Sequence, residues 1–138
     1  MNKAEIFEFI NANPICHLAT VEGDAPRVRD MGLFEADDRG ILIQLVSVKD
    51  TYQQLVENPK VELCFFNLKT LTQIRISGTA EFLEDKTIKE EALTVRPFLL
   101  PMVEAHGIEV IKVFRIAQAR AYMRTQATNF DPKEYISL

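Results

Sequence analysis

Pro26-Arg27-Val28-Arg29-Asp30-Met31-Gly32 is a strand-like run that carries two arginines. Side chains alternate along a strand, so Arg27, Arg29 and Met31 share one face while Val28 and Asp30 share the other. A cation on a half-buried strand is costly unless it meets an anion or stays in water. Two readings follow: a solvated surface strand, its arginines paired with Asp30 or Glu35, or a site for a phosphorylated ligand. Lys49 lies just before a predicted helix, where free N–H groups and the helix dipole favour an anion. Ser47 is placed either to cap that helix or to bind the same anion. Gln73, near the start of a later strand, offers a donor and an acceptor to the edge of a heterocycle or simply faces water.

Outward from this run, the punctuation is that of a small β protein. Glu22-Gly23-Asp24 is a turn with hairpin chemistry, and it joins a strand over 15–21 to one over 26–36. Asp37-Asp38-Arg39-Gly40 turns the chain into a third strand over 41–46, a continuous apolar run broken only by Gln44. A short helix follows over 50–57, with Tyr52, Leu55 and Val56 on one face, and Asn58-Pro59 stops it. Strands are predicted over 60–67 and 72–83, the latter with Gly78 inside it, where a strand glycine marks a bulge or a sharp bend. Residues 85–95 read as a helix with Ile88, Ala92 and Leu93 inward. Pro97 and Pro101 interrupt the chain before a short helix ending near His106. A last long strand is predicted over 109–123, and Asp131-Pro132 opens a final turn, Asp capping and Pro in the first helical position. At the other end, Asn2 with Glu5 reads as a capping box for a first helix that Pro14 terminates. Five or six closely spaced strands with short turns predict a small antiparallel barrel, mainly β with flanking helices, formed by one domain over residues 1–138.

Composition narrows the functional class. Of 138 residues 47% are hydrophobic and 26% charged, ordinary for a globular protein. The formal charge of -4, with no basic run, argues against a nucleic-acid partner. No apolar stretch approaches the roughly 20 residues that a membrane helix needs. Glu5 and Glu8 interrupt any N-terminal signal-like segment. Cys16 and Cys64 lie in apolar strand-like surroundings and read as buried, reduced thiols of a cytoplasmic protein. No CxxC or paired-histidine spacing suggests a metal centre. His17 alternates within a strand and reads as a packed or hydrogen-bonded residue. His106 precedes Gly107 at a helix end, where it meets the dipole favourably. No nucleophile elbow or phosphate loop is present. Chemistry, if any, would fall to a bound cofactor.

Four segments resemble one known family in their order along the chain. They are His17-Leu18-Ala19-Thr20-Val21 followed by Gly23-Asp24-Ala25-Pro26-Arg27-Val28-Arg29-Asp30-Met31-Gly32; Lys49-Asp50-Thr51-Tyr52-Gln53-Gln54-Leu55; Asn58-Pro59-Lys60-Val61-Glu62-Leu63-Cys64; and Arg75-Ile76-Ser77-Gly78-Thr79-Ala80. The pattern is similar to that of the pyridoxamine 5'-phosphate oxidase-like flavoproteins, close over 15–83 and looser beyond. The nearest subgroup is the short flavin-binding proteins related to nitroimidazole-resistance reductases.

The resemblance implies an FMN-binding split β-barrel of antiparallel Greek-key type, a homodimer with FMN at the subunit interface. It implies an oxidoreductase that passes electrons from a nicotinamide donor to a small nitroaromatic or quinone-like acceptor. Arg29 fits the arginine that meets the phosphate, with Arg27 beside it, and Lys49 fits the basic residue that opens the helix. Gln73 fits the glutamine that contacts the isoalloxazine, and Asp30, Met31, Gln44 and Leu45 fit the backbone lining the ring. Three departures stand out. Leu45 and Val46 replace hydroxyl side chains common in the family. Asp30 replaces a common proline and adds negative charge unless Arg27 or Arg29 neutralises it. Phe34 occupies the position of the strand lysine of true pyridoxamine phosphate oxidases, and their C-terminal Trp and Arg are missing, which argues against that substrate. The alternatives are a non-catalytic flavin or haem carrier or sensor, with His17 or His106 as the haem ligand, and a deazaflavin in place of FMN.

Overall fold

The computed structural model describes residues 1–138. The chain runs α1 (Lys3–Ala12), β1 (Ile15–Glu22), β2 (Ala25–Asp37), β3 (Gly40–Val46), α2 (Asp50–Glu57), β4 (Lys60–Asn67), β5 (Thr72–Leu83), α3 (Lys86–Val95), α4 (Leu100–His106), β6 (Ile111–Arg124) and β7 (Ile136–Ser137). Single 3-10 turns at Pro97–Leu99 and Ile108–Val110 flank α4. All ladders are antiparallel, in the order β3-β2-β1-β4-β5-β6, and β3 closes on β6. β4 returns to lie beside β1, the outermost of three consecutive hairpin-joined strands, which is a Greek key. The six long strands form a barrel with flanking helices, as the turn spacing predicts.

β3 explains its own apolar run. Ile41, Ile43 and Leu45 point into the barrel with Leu18, Leu63, Phe65, Ile76 and Phe114. Leu42 and Val46 point outward into a second core with Phe34, Ala92, Leu99 and Val113. A strand buried on both faces has no polar positions to alternate with. α1 closes one side of the barrel through buried Ile6 and Ile10. Its Asn2 cap accepts from the Glu5 N–H at 2.9 Å, although Glu5 returns to the Asn2 side-chain amide rather than its backbone. Asn11 docks the helix on β2, donating to Ala36 O and accepting from the Ala36 N–H.

Gly78 lies at the predicted irregularity. The β5–β6 register shifts between Ser77 and Thr79, and β6 takes up the extra residue with Gln118 at φ 52°. A Cβ on Gly78 would sit 2.6 Å from Ile116 Cγ2 and 2.7 Å from Ala117 O.

Two expectations are corrected. No helical turn starts at Asp131-Pro132. The tail is extended, β7 pairs with Arg120 and Ala121, and Leu138 N–H donates to Ala119 O at 2.9 Å. Ile136 and Leu138 pack on the main core. Ladder bonds and apolar burial outweigh a one-turn helix, whose nucleation is costly. The inward face of α2 is Thr51, Gln54 and Leu55, with Val56 exposed. The helix is rotated because Gln54 has a buried polar partner set, described below. The β2–β3 turn is anchored by charge. Arg39 grips Asp37 and reaches Glu91 at 2.8 Å, tying the β2–β3 turn to α3.

Both cysteines are free, but only Cys16 is buried; Cys64 is half-buried on the outer face. Burial pushes the Cys16 thiol up to about 12, with Cys64 and Asp30 adding to the shift. The thiolate is the reactive form. A disulfide-exchange reagent at pH 8 is therefore expected to titrate at most one thiol in the native protein and both after unfolding. Two fast equivalents in native conditions would contradict the packing of Cys16.

Candidate functional site: the cleft at the barrel split

β2 changes partners midway. Residues 25–32 pair with β1, whereas from Leu33 onward the strand pairs with β3, with a bulge at Phe34. β3 in turn gives Gln44, Leu45 and Val46 to β6. The free edge of Arg29–Gly32 therefore faces the free edge of Gln44–Val46 with no ladder between them. Here the barrel is split, and the gap is a cleft of about 840 Å³. That volume suits a cofactor-sized ligand. The start of α2 supplies Lys49, Asp50, Thr51 and Gln54 to one end, and Phe98 and Leu99 overhang it. Phe98 is 72% exposed, and Val28 and Val48 beside the cleft are exposed too, so an apolar rim surrounds a polar interior.

The interior centres on Arg29. It pairs across the ladder with buried Leu18 and so projects inward at the barrel mouth. Its Nη1 donates to Thr20 Oγ1 at 2.7 Å and to Leu18 O at 3.3 Å. Its Nη2 donates to Gln54 Oε1 at 2.5 Å. All these partners are neutral oxygens. Burial pulls the Arg29 pKa down, while nearby Asp50 and Glu22 oppose the change. Arginine remains charged through such a shift. Arg27, by contrast, is spent on Glu22 at 3.0 Å. Hydrogen bonds from Arg27 and then Gln54 hold the Glu22 carboxyl below its ordinary value. Since the folded-state value is the lower one, this lock stands above the unfolded carboxylate range and is lost as pH falls through the folded value.

Seven of the nine sequence-derived site residues line this cleft: Arg27, Arg29, Asp30, Met31, Gln44, Leu45 and Lys49. Both alternating sets of the Arg27–Gly32 run border it because its wall is a strand edge rather than one face. Ser47 lies outside the lining. Its N–H donates to Val110 O at 2.9 Å, and the cap position of α2 is Lys49, with no side-chain cap bond. Gln73 lies in a separate recess of about 220 Å³, with Phe66, Leu71 and Arg124. Asp30 is neutralised by neither arginine: His17 Nε2 meets it at 3.0 Å on the exposed outer face. Neither histidine lines the cleft. Phe34 is buried in the second core.

Sequence reasoning passed over Thr20, Gln54, Glu22 and Phe98. The i, i+3, i+4 spacing of Thr51, Gln54 and Leu55 was the available signal for Gln54, masked by the more hydrophobic Tyr52 and Val56. Gln44 carries a second signal. It is 7% exposed, and its Oε1 has no hydrogen-bond partner. A buried acceptor without a donor is costly and marks a place where a ligand N–H or a water would bind.

A Greek-key barrel that parts between two strands to form a cleft defines a split-barrel class of protein. The sequence matches the family described as pyridoxamine 5'-phosphate oxidase over residues 3–133, and the chain belongs to that split-barrel family. Among solved structures, it is similar to a NimC/NimA family protein from Clostridium acetobutylicum, with 29% identity, a TM-score of 0.80, and coverage of 98% of this chain and 92% of that one. General Stress Protein 26 from Bacillus anthracis shares the fold at 20% identity and a TM-score of 0.71, over 99% of this chain and 98% of that one. PhzG from Burkholderia lata, solved in complex with tetrahydrophenazine-1-carboxylic acid, shares it at 15% identity and a TM-score of 0.67, over 98% and 89%. None of the curated proteins matches the sequence. No helix is long and apolar enough to cross a membrane.

Proposed function

We propose that this chain is an FMN-dependent oxidoreductase that works as a homodimer and passes electrons from a nicotinamide donor to a small nitroaromatic or quinone-like acceptor. The observation that carries the reading is the Arg29 guanidinium, held by neutral oxygens inside the cleft and left free to meet an anion. Arg29, with Lys49 at the start of α2, would hold the phosphate. The orphaned Gln44 Oε1 would accept an N–H from the edge of the ring. Leu45 and Met31 give the ring apolar walls, and the chain's residues thus fit the cofactor. FMN supplies the hydride-accepting ring when bound. The protein's part is to bind, orient and shield it, since the cleft is lined by neither histidine nor cysteine. The apolar rim of Phe98, Val28 and Val48 suits a small aromatic acceptor. The buried Phe34, in place of a cleft lysine, speaks against pyridoxamine phosphate as substrate.

Gln73 sits in its own recess outside the cleft, so if it contacts the flavin it would do so from a second copy of the chain. The proposal therefore takes the site as interfacial in a homodimer, with each chain one domain. The test is an absorbance spectrum of freshly purified protein before and after adding FMN and removing the excess, followed by nicotinamide oxidation with a nitroaromatic or quinone acceptor. The two flavin bands with about one FMN per chain, and acceptor-dependent turnover, are expected. Colourless protein that takes up no FMN would overturn the reading.

A further inference from the structure

The contacts of Arg29 leave a defined remainder. A guanidinium has five N–H donors. Two on Nη1 go to Leu18 O and Thr20 Oγ1, and one on Nη2 goes to Gln54 Oε1. The two that remain are the Nε–H and the second Nη2–H, which point in parallel from one edge. That edge is the fork that binds two oxygens of a phosphate.

The fork is set by a closed ring of hydrogen bonds. Arg29 Nη1 donates to Thr20 Oγ1, Thr20 Oγ1 donates to Gln54 Oε1 at 2.7 Å, and Arg29 Nη2 donates to the same oxygen. Gln54 and Thr20 are both buried, so neither yields readily to water. An amide has a donor end and an acceptor end, and Glu22 decides which way Gln54 points. Glu22 Oε2 accepts from Gln54 Nε2 at 3.2 Å, and a carboxylate can only accept. The amide oxygen must then face Arg29. A carboxylate at position 54 could accept from Arg29 and Thr20, but it would have no hydrogen to donate to Glu22 and would neutralise the arginine; the amide restrains it and leaves its charge to the ligand.

We infer that Gln54, oriented by Glu22 and locked to Thr20, is the positioning residue that presents the Nε–Nη2 edge of Arg29 to a phosphate monoester, so that the cleft discriminates a flavin that carries the phosphate from one that lacks it. The inference rests on the flavin reading for its ligand, but the ring itself is a property of the free protein.

The first arm of the test needs no ligand. In ¹⁵N-labelled full-length protein, a restrained guanidinium rotates slowly and gives separate Nη1 and Nη2 signals, identified by their loss in Arg29→Lys. Gln54→Met keeps the side-chain length without its polar ends, and it is expected to merge the Arg29 signals into one. Merged signals in the wild type, or resolved signals in Gln54→Met, would overturn the inference. The second arm compares dissociation constants for FMN and riboflavin. The wild type is expected to prefer FMN, and Gln54→Met to reduce that preference about tenfold while riboflavin affinity holds. Gln54→Glu is expected to reduce it as well, by placing a charge against Arg29. An unchanged ratio, or equal losses for both flavins, would leave Gln54 a merely structural residue and refute the proposal. If the wild type binds neither flavin, the proposed function fails while the inference still faces its own test. Inorganic phosphate, titrated against the Arg29 Nε–H signal, then becomes the probe: a shift in the wild type that is absent in Gln54→Met supports the inference, and no shift in the wild type refutes it.

Discussion

Arg29→Ala is expected to weaken FMN binding about a hundredfold, whereas Arg27→Ala weakens it less than about fivefold, because only the first removes a charge-assisted fork. The two arginines look equivalent in the chain, two residues apart on one strand face. The structure makes them different. Arg27 is half-exposed and closes on Glu22 at 3.0 Å. Arg29 projects inward, meets only neutral oxygens and keeps its charge for the cleft. Titration of each purified variant with FMN, followed by quenching of flavin fluorescence, separates them. Riboflavin should bind wild type and Arg29→Ala alike, since it has no phosphate to lose. Equal losses of FMN affinity in the two arginine variants would show that the phosphate lies elsewhere.

Gly78→Ala is expected to destabilise the fold by about 3 kcal/mol, at the upper end for overpacking. For a chain of this size that corresponds to a fall of roughly 10 °C in Tm. The added methyl would meet Ile116 Cγ2 at 2.6 Å and Ala117 O at 2.7 Å. The side chain could turn away, but the carbonyl belongs to a β6 backbone already bent by the bulge at Gln118. Thermal unfolding followed by circular dichroism measures the loss. Gly23→Ala is the control: its φ of 62° disfavours a side chain, yet nothing lies within 4 Å of the new atom. That variant should cost only about 1 kcal/mol, the penalty of the left-handed backbone alone. Equal costs at the two positions would mean that the β5–β6 bulge relaxes around the methyl.

Much of this protein was legible along the chain because its signals are local. β4 and β5 begin and end where Asn58-Pro59 and the turn before Thr72 put them. Gly78 announced the bulge because only a side-chain-free residue admits so close a backbone. The apolar run of β3 announced a strand buried on both faces. The tail misled because Asp131-Pro132 carries a local helix signal, whereas Ile136 and Leu138 answer to the distant barrel wall. α2 misled for a similar reason: hydrophobicity placed Val56 on its inner face with Tyr52 and Leu55, but Val56 is exposed and Gln54 is buried instead, by partners on β1 and β2.

By itself, then, the sequence determined the strands, their turns, the barrel class and the arginine-bearing run, since each depends on neighbours a few residues apart. Tertiary structure alone decided where the barrel splits, which arginine stays free and why the amide of Gln54 points as it does. Those outcomes depend on hydrogen bonds between groups far apart in the chain, such as Arg29 to Gln54 and Gln54 to Glu22, whose donors and acceptors meet only once the strands have closed.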